Sequence, residues 1–446
     1  MNGALSLFDN PASGSLPRAR VRAEARTSWL VQLGLVFAFV HSFDLLSSSP
    51  LRPYFWRFDF IILAALALFA VLFATSRLLR HGWHLSGLDV CVLLIAGVMP
   101  FYTAWRAYSV FGQPLVFGVL SERDLLQGLY AWLLLYLFWK RAIRLRDVER
   151  VVLAMCWVSL VAIYLVGLAR ASGWNPEPII EGTDKRFGKD NFNVILLVFG
   201  GLYYAARYAR QGRGADALAA LAILGTVVFY REGRSINLAV LIALGWLALR
   251  TMSGTRKAKL AVVGGTLAVL VGLYVAQSAE ASAFFQGLVG FYGAAVATLF
   301  GDAGDDLSAN ARIYQFAVMW PYITEYALWG AGQLSHQWNG GFARLFGELH
   351  PSDLGMLGMV FVYGIVGVLI FSAQVLLAAR LGREVSDRQS PVFVVTCKYY
   401  LVFLYVVSIP TARFIFSVGT TLIILTLLYA HVHGLDRSLG ARVERR

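Results

Sequence analysis

The feature that most constrains this chain is a succession of apolar stretches, each close to the length of a membrane-crossing helix, recurring from residue 29 to residue 432. A helix needs about 20 predominantly apolar residues to traverse a hydrocarbon core ~30 Å thick. Read with that window, the sequence predicts spans at 29–47, 58–76, 88–105, 125–139, 151–170, 191–207, 215–231, 235–250, 258–278, 352–379, 393–411 and 413–432. The 215–250 region is interrupted by Arg231-Glu232-Gly233-Arg234 and reads as two short spans or as one re-entrant hairpin. Hydrophobic residues make up 58% of the chain and charged residues 15%. An ordinary globular domain is nearer half apolar and a quarter charged, so the bilayer is the solvent against which this fold must be reasoned. The expected class is all-α: a polytopic membrane protein of about 12 transmembrane helices.

Between the spans the chain is short of polar sequence. Residues 1–28 contain Arg18, Arg20, Arg22 and Arg26 and no apolar core ending at a small-residue cleavage site, so they read as a cytoplasmic tail rather than a signal peptide. Residues 29–278 hold the first nine predicted spans, 279–351 form the longest polar interval, 352–432 hold the last three, and 433–446 form a C-terminal tail. A formal net charge of +13 invites a nucleic-acid reading, but membrane proteins gather Lys and Arg at their cytoplasmic face for topological reasons. Summed over alternate segments, the set that includes both termini carries about twice as many Lys and Arg as the other. Both termini are therefore expected inside, with 171–190 and 279–351 outside. Cys91, Cys156 and Cys397 fall inside apolar stretches, which indicates neither a disulfide framework nor a thiolate metal site. No cofactor is expected.

The informative cations are those the positive-inside tendency does not explain. Lys185-Arg186-Phe187-Gly188-Lys189, Arg231-Glu232-Gly233-Arg234 and Arg312 all fall at outward ends of predicted spans. A guanidinium fork suits bidentate recognition of phosphate and is weakly enough hydrated to sit partly buried. Several converging from different helices would make an outward anion site at the depth of a lipid-linked diphosphate. The same residues also fit a plain role, snorkelling to head groups.

Of the seven histidines only His336 and His350 lie in outward segments. A neutral imidazole can take a proton from a sugar hydroxyl, and His350 stands just before the span opened by Pro351-Ser352-Asp353-Leu354. A surface histidine is the alternative for each. The stretch Ala311–Trp320 has apolar residues at helical spacing around Arg312 and reads as an amphipathic helix on the membrane, with Trp329-Gly330-Ala331-Gly332 turning the chain. Asp302, Asp305 and Asp306 read as a solvated acidic turn rather than a metal cluster. The pair in Phe199-Gly200-Gly201-Leu202 allows close helix approach, or bounds a lateral opening for lipid.

In this order and spacing the chain resembles the O-antigen ligases and related O-antigen polymerases, bacterial inner-membrane glycosyltransferases with a large periplasmic loop between late spans. The motifs that carry the resemblance are Arg186-Phe187-Gly188-Lys189-Asp190-Asn191 entering a span, Gly233-Arg234-Ser235 opening one, Arg312 through Trp320 leading to Gly330-Ala331-Gly332, and His350-Pro351-Ser352-Asp353-Leu354 followed by Gly364-Ile365-Val366-Gly367. The family more often shows Ser-Arg-Gly at the second motif and His-Asn at the last, so His336-Gln337 is a reserve for the base.

The resemblance implies a glycosyltransferase C-like fold with a helical periplasmic loop and a periplasm-facing active site. It implies transfer of an undecaprenyl-diphosphate-linked polysaccharide to a sugar hydroxyl of lipid A-core in lipopolysaccharide biosynthesis. Arg186, Lys189, Asn191, Arg234 and Arg312 would hold the diphosphate, Arg186 and Arg234 would stabilise the leaving group, and His350 would be the general base of an inverting, metal-independent reaction. An O-antigen polymerase using the same donor is the nearest rival. A transporter or flippase is the rival from another class, since a dozen spans with both termini inside is a common transporter plan, although no internal repeat is visible.

Overall fold

The computed structural model describes residues 29–43, 52–81, 85–172, 194–230, 234–258, 307–347, 351–411 and 418–435. Residues 259–278 of the predicted span 258–278, the N-terminal tail, the C-terminal tail from 436 onward and the whole interval 279–306, with Asp302, Asp305 and Asp306, lie outside the described residues. The fold is all-helical, with no strand among the described residues. In chain order the helices are α1 (Trp29–Ser42), α2 (Arg52–His81), α3 (Gly87–Phe111), α4 (Leu115–Ser121), α5 (Tyr130–Trp139), α6 (Leu145–Ala171), α7 (Ile195–Gln211), α8 (Gly214–Tyr230), α9 (Arg234–Thr251), α10 (Leu307–Glu325), α11 (Gly341–Phe346), α12 (Met356–Glu384), α13 (Val392–Thr411) and α14 (Val418–Val432). Among the described residues four stretches are long and apolar enough to cross a membrane: Gly87–Phe111, Leu145–Leu165, Met356–Glu384 and Val392–Pro410. Shorter apolar helices cover most of the remaining predicted spans. The 215–250 region resolves into two separate helices, α8 and α9.

Local chemistry explains several boundaries. Ser86 caps α3 in a reciprocal box with Asp89, and the Trp132 indole N–H donates to the same carboxylate (3.1 Å), tying α3 to α5. The predicted span 125–139 is not one continuous helix, because a helical turn at Arg123–Leu126 and a 3-10 turn at Gln127–Leu129 precede α5. Gln127 and Gly128 pack there against Gly419 and Leu422 of α14.

The core lies between α7, α13 and α14. Residues Ile195–Leu202 are buried, and Phe199 meets Tyr400 and Phe393 edge-on at 5.1 and 5.6 Å. Gly200 and Gly201 serve packing: a Cβ on the first would press on Cys156 of α6, and one on the second would overlap Leu224 of α8 at 2.4 Å.

The two ends of the bundle differ in charge. At one end, Glu149 accepts from Tyr203, Arg207 pairs with Asp216, Arg210 donates to the carbonyls of Asp387 and Ser390, Arg256 donates to Ala209, and Lys398 pairs with Asp387 at 2.9 Å. Lys398 reaches back from inside α13 to find that partner, as a long cationic side chain does in apolar surroundings. The opposite end, where α3 finishes and α12 begins, is poorer in cations among the described residues and holds the segment that follows α10.

Candidate functional site

Residues 326–340 are held on that second end by backbone and side-chain contacts from α12, α3 and the turn that follows α3. Helix α12 is broken at Gly364, whose φ of 69° and ψ of 176° belong to a region open essentially to glycine. The break frees the carbonyls of Phe361 and Val362, which accept from Ala331 N–H (2.7 Å) and Gly332 N–H (2.9 Å). In return the Ile365 and Val366 N–H groups donate to the carbonyls of Ala327 (2.8 Å) and Leu328 (3.3 Å). Each named group released by the kink thus finds a partner on the inserted segment, which buried peptide groups require. Backbone approaches so closely here that a Cβ on Gly330 would meet Val362 O at 2.4 Å, and one on Gly364 would meet Leu328 O at 2.4 Å. The Gly330-Ala331-Gly332 turn and the Gly364-Ile365-Val366-Gly367 step, read separately in the sequence, are two halves of one contact.

Helix α3 supplies the second wall. A Cβ on Gly332 would meet Ala107 N at 2.3 Å and Thr103 O at 2.5 Å. The Tyr102 hydroxyl donates to the Trp329 carbonyl, and Arg106 Nε donates to the Gly330 carbonyl at 2.9 Å. Past the α3 terminus, the fully buried Gln113 clamps the next stretch with both ends of its amide, donating to Gln333 O (3.0 Å) and accepting from Ser335 N–H (2.7 Å).

Beneath this contact lies Glu122, which accepts from the Tyr363 hydroxyl at 3.0 Å. Burial pushes its carboxyl up to about 8, with the hydroxyls of Thr103 and Tyr363 opposing part of the rise and Asp124 adding to it. Glu122 is therefore protonated over most of the physiological range.

His336 is exposed, and its Nδ1 lies 2.9 Å from the Gly340 carbonyl. A carbonyl can only accept, so Nδ1 carries the hydrogen and the neutral ring keeps its lone pair on Nε2. That is the tautomer a general base needs. Arg186, Lys189, Asn191 and His350 lie outside the described residues. Arg234 opens α9 and Arg312 lies in the second turn of α10. Helix α10 runs from Leu307 to Glu325, longer than the sequence pattern suggested, and buries Met319 and Ile323 while leaving Ile313, Tyr314, Phe316 and Trp320 exposed. It packs against α12 and the Pro351–Leu354 turn, which brings the helix bearing Arg312 to the segment that follows His350.

Sequence reasoning singled out none of Tyr102, Arg106, Gln113 and Glu122. The partners of Arg106 and Gln113 lie more than 200 positions away in the chain, beyond the reach of any local pattern. Compared with known proteins, the chain matches no family model and no curated sequence significantly.

Proposed function

We propose that the protein is a bilayer glycosyltransferase of O-antigen ligase type. It would transfer an undecaprenyl-diphosphate-linked polysaccharide to a lipid A-core hydroxyl at the periplasmic face of the bacterial inner membrane. The observation that carries this reading is the interlock of Gly330–Gly332 with the Gly364 break. Two motifs that support the family resemblance independently meet in space, and they hold the Arg312 helix beside the turn that follows His350. Among the described residues the cations gather at the other end, which is the sense expected if this one faces outward.

In the reaction, Arg186, Arg234 and Arg312 neutralise charge growing on the departing diphosphate, and the pendant imidazole removes the acceptor proton as its oxygen attacks the anomeric carbon. His350 is that base, with His336 in reserve. General-base catalysis accounts for roughly 10²- to 10⁴-fold. His350→Ala in the full-length protein, assayed with lipid-linked O-antigen and lipid A-core, is expected to lose about that factor while His336→Ala keeps its rate. The reverse result moves the role to His336, and full activity in both removes the mechanism. A product ladder on lipid A-core supports ligation, whereas extension of the lipid-linked glycan alone makes the protein a polymerase.

Transport has one observation in its favour, the discontinuous α12 beside a protonated carboxyl, a combination that translocating folds use. Against it, the inserted segment already occupies the backbone groups that such a break would offer to substrate. Lipid movement in proteoliposomes without glycosidic bond formation would revive that reading.

A further inference from the structure

Arg106 is the cation at this end whose geometry is most completely defined. Its guanidinium is half-buried near the end of α3, and Nε is committed to the Gly330 carbonyl at 2.9 Å, which fixes the plane of the fork. Nη1 and Nη2 have no hydrogen-bond acceptor among the described residues, and no carboxylate there pairs with the group. Glu325, which could have served, engages the Tyr326 hydroxyl instead. A partly desolvated guanidinium held in place by one nitrogen, with its two terminal nitrogens unassigned, is arranged to receive a planar or tetrahedral oxyanion.

The surroundings narrow the class of anion. The exposed Trp105 ring lies 5.8 Å from the guanidinium carbon, and Leu328 and Trp329, also large, apolar and exposed, immediately precede the Gly330 carbonyl on which Arg106 is held. Aromatic rings of this kind sit at the boundary between head groups and acyl chains. Helix α3 starts at Gly87, and the run from there to Arg106 rises about 29 Å, one hydrocarbon thickness, so the cation stands at head-group depth. A free phosphate would leave the apolar rim without a role, whereas a phosphate carried on a long apolar chain uses both.

We propose that Arg106 binds a phosphoryl group of a membrane lipid, its fork on the phosphate and the lipid chain against Trp105 and Trp329. For the lipid's identity, a polyprenyl diphosphate, the proposal rests on the glycosyl-transfer reading. It adds a contact from α3 to the diphosphate site, and it places that contact on the carbonyl of the Gly330 turn. A change at the turn is thereby transmitted to the anion.

The test uses full-length protein in phosphatidylcholine nanodiscs and measures binding of undecaprenyl diphosphate, phosphatidylglycerol and inorganic pyrophosphate to wild type, Arg106→Gln, Arg106→Lys and Arg312→Gln. Loss of a charge-assisted contact should weaken undecaprenyl diphosphate binding roughly 10- to 100-fold in Arg106→Gln. Arg106→Lys, which keeps the charge and a donor for Gly330 but not the fork, should fall between. Pyrophosphate should bind far more weakly than the lipid. Equal losses for undecaprenyl diphosphate and phosphatidylglycerol keep the phosphate site and make its occupant an ordinary phospholipid.

If Arg312→Gln abolishes binding while Arg106→Gln binds as wild type does, the transferase reading stands and the assignment of Arg106 is overturned. Should Arg106 act only as a latch for the turn, the unliganded thermal midpoint would drop and the ligand-induced rise would stay unchanged, which also overturns it. Should Arg106→Gln fail to fold, Arg106→Lys carries the decision, and wild-type affinity in that variant counts against the proposal.

Discussion

Glu122 holds its proton because water cannot reach it, and that has a measurable signature. The carboxyl rises in the fold from an ordinary 4.5 to about 8, so between these values the folded chain binds a proton that the unfolded chain releases. The stability this group contributes is complete below about pH 4.5, declines as pH rises, and is gone once pH passes about 8. In detergent micelles the thermal midpoint of wild type should therefore fall between pH 5.5 and pH 8.5 by more than that of Glu122→Gln, which cannot ionise. Parallel curves for the two proteins would contradict the assignment. Tyr363→Phe removes the hydroxyl that donates to this carboxyl and is expected to cost about 1–3 kcal/mol. Neither residue announced itself in the sequence. Nothing in the run Glu122-Arg123-Asp124 signals burial, because the hydroxyl that meets the first carboxyl belongs to a tyrosine 241 positions later. His336 was legible as a reserve base, since few histidines fall in the segments expected outward, but its tautomer depends on the Gly340 carbonyl folding back on it.

The broken α12 shows how far pattern can carry an element. Within the predicted span 352–379 the run from Leu354 to Phe371 has no polar residue but Tyr363, and a run with no polar face gives periodicity nothing to report, so a straight helix and a kinked one look alike. The glycines at 364 and 367 were visible as a step. That Gly364 leaves helical space entirely follows only once Ala327 and Leu328 arrive to take the released N–H groups. Gly364→Ala should be destabilised by on the order of 3 kcal/mol, combining a φ that alanine resists with a clash against the Leu328 carbonyl. Gly330→Ala strikes the same contact from the other side, so the double variant should lose less than the sum of the two. Strict additivity in thermal midpoints would mean that the two glycines act separately.

At the scale of the whole molecule, apolar run lengths gave the all-helical class and helix positions near most predicted spans, and the alternation of Lys and Arg anticipated two unlike ends. Run length missed the interruption before α5, because turns buried among other helices stay as apolar as the helices themselves. Orientation is open to a direct check: Asn339→Cys should react with a membrane-impermeant maleimide in intact spheroplasts, and Arg388→Cys only after permeabilisation. The opposite pattern would invert the molecule and remove the proposed outward anion site. The native thiols do not interfere, since Cys91, Cys156 and Cys397 are buried.

The insertion of residues 327–332 between α3 and α12 also fixes an order of events at the ribosome. Helix α3 emerges early, yet the segment that covers Thr103 and Ala107 is translated more than 200 residues later and cannot seat until the Gly364 region has followed it out. Through most of synthesis that flank of α3 stays bare, and a nascent chain stalled before residue 366 would leave it as a handle for quality-control proteases.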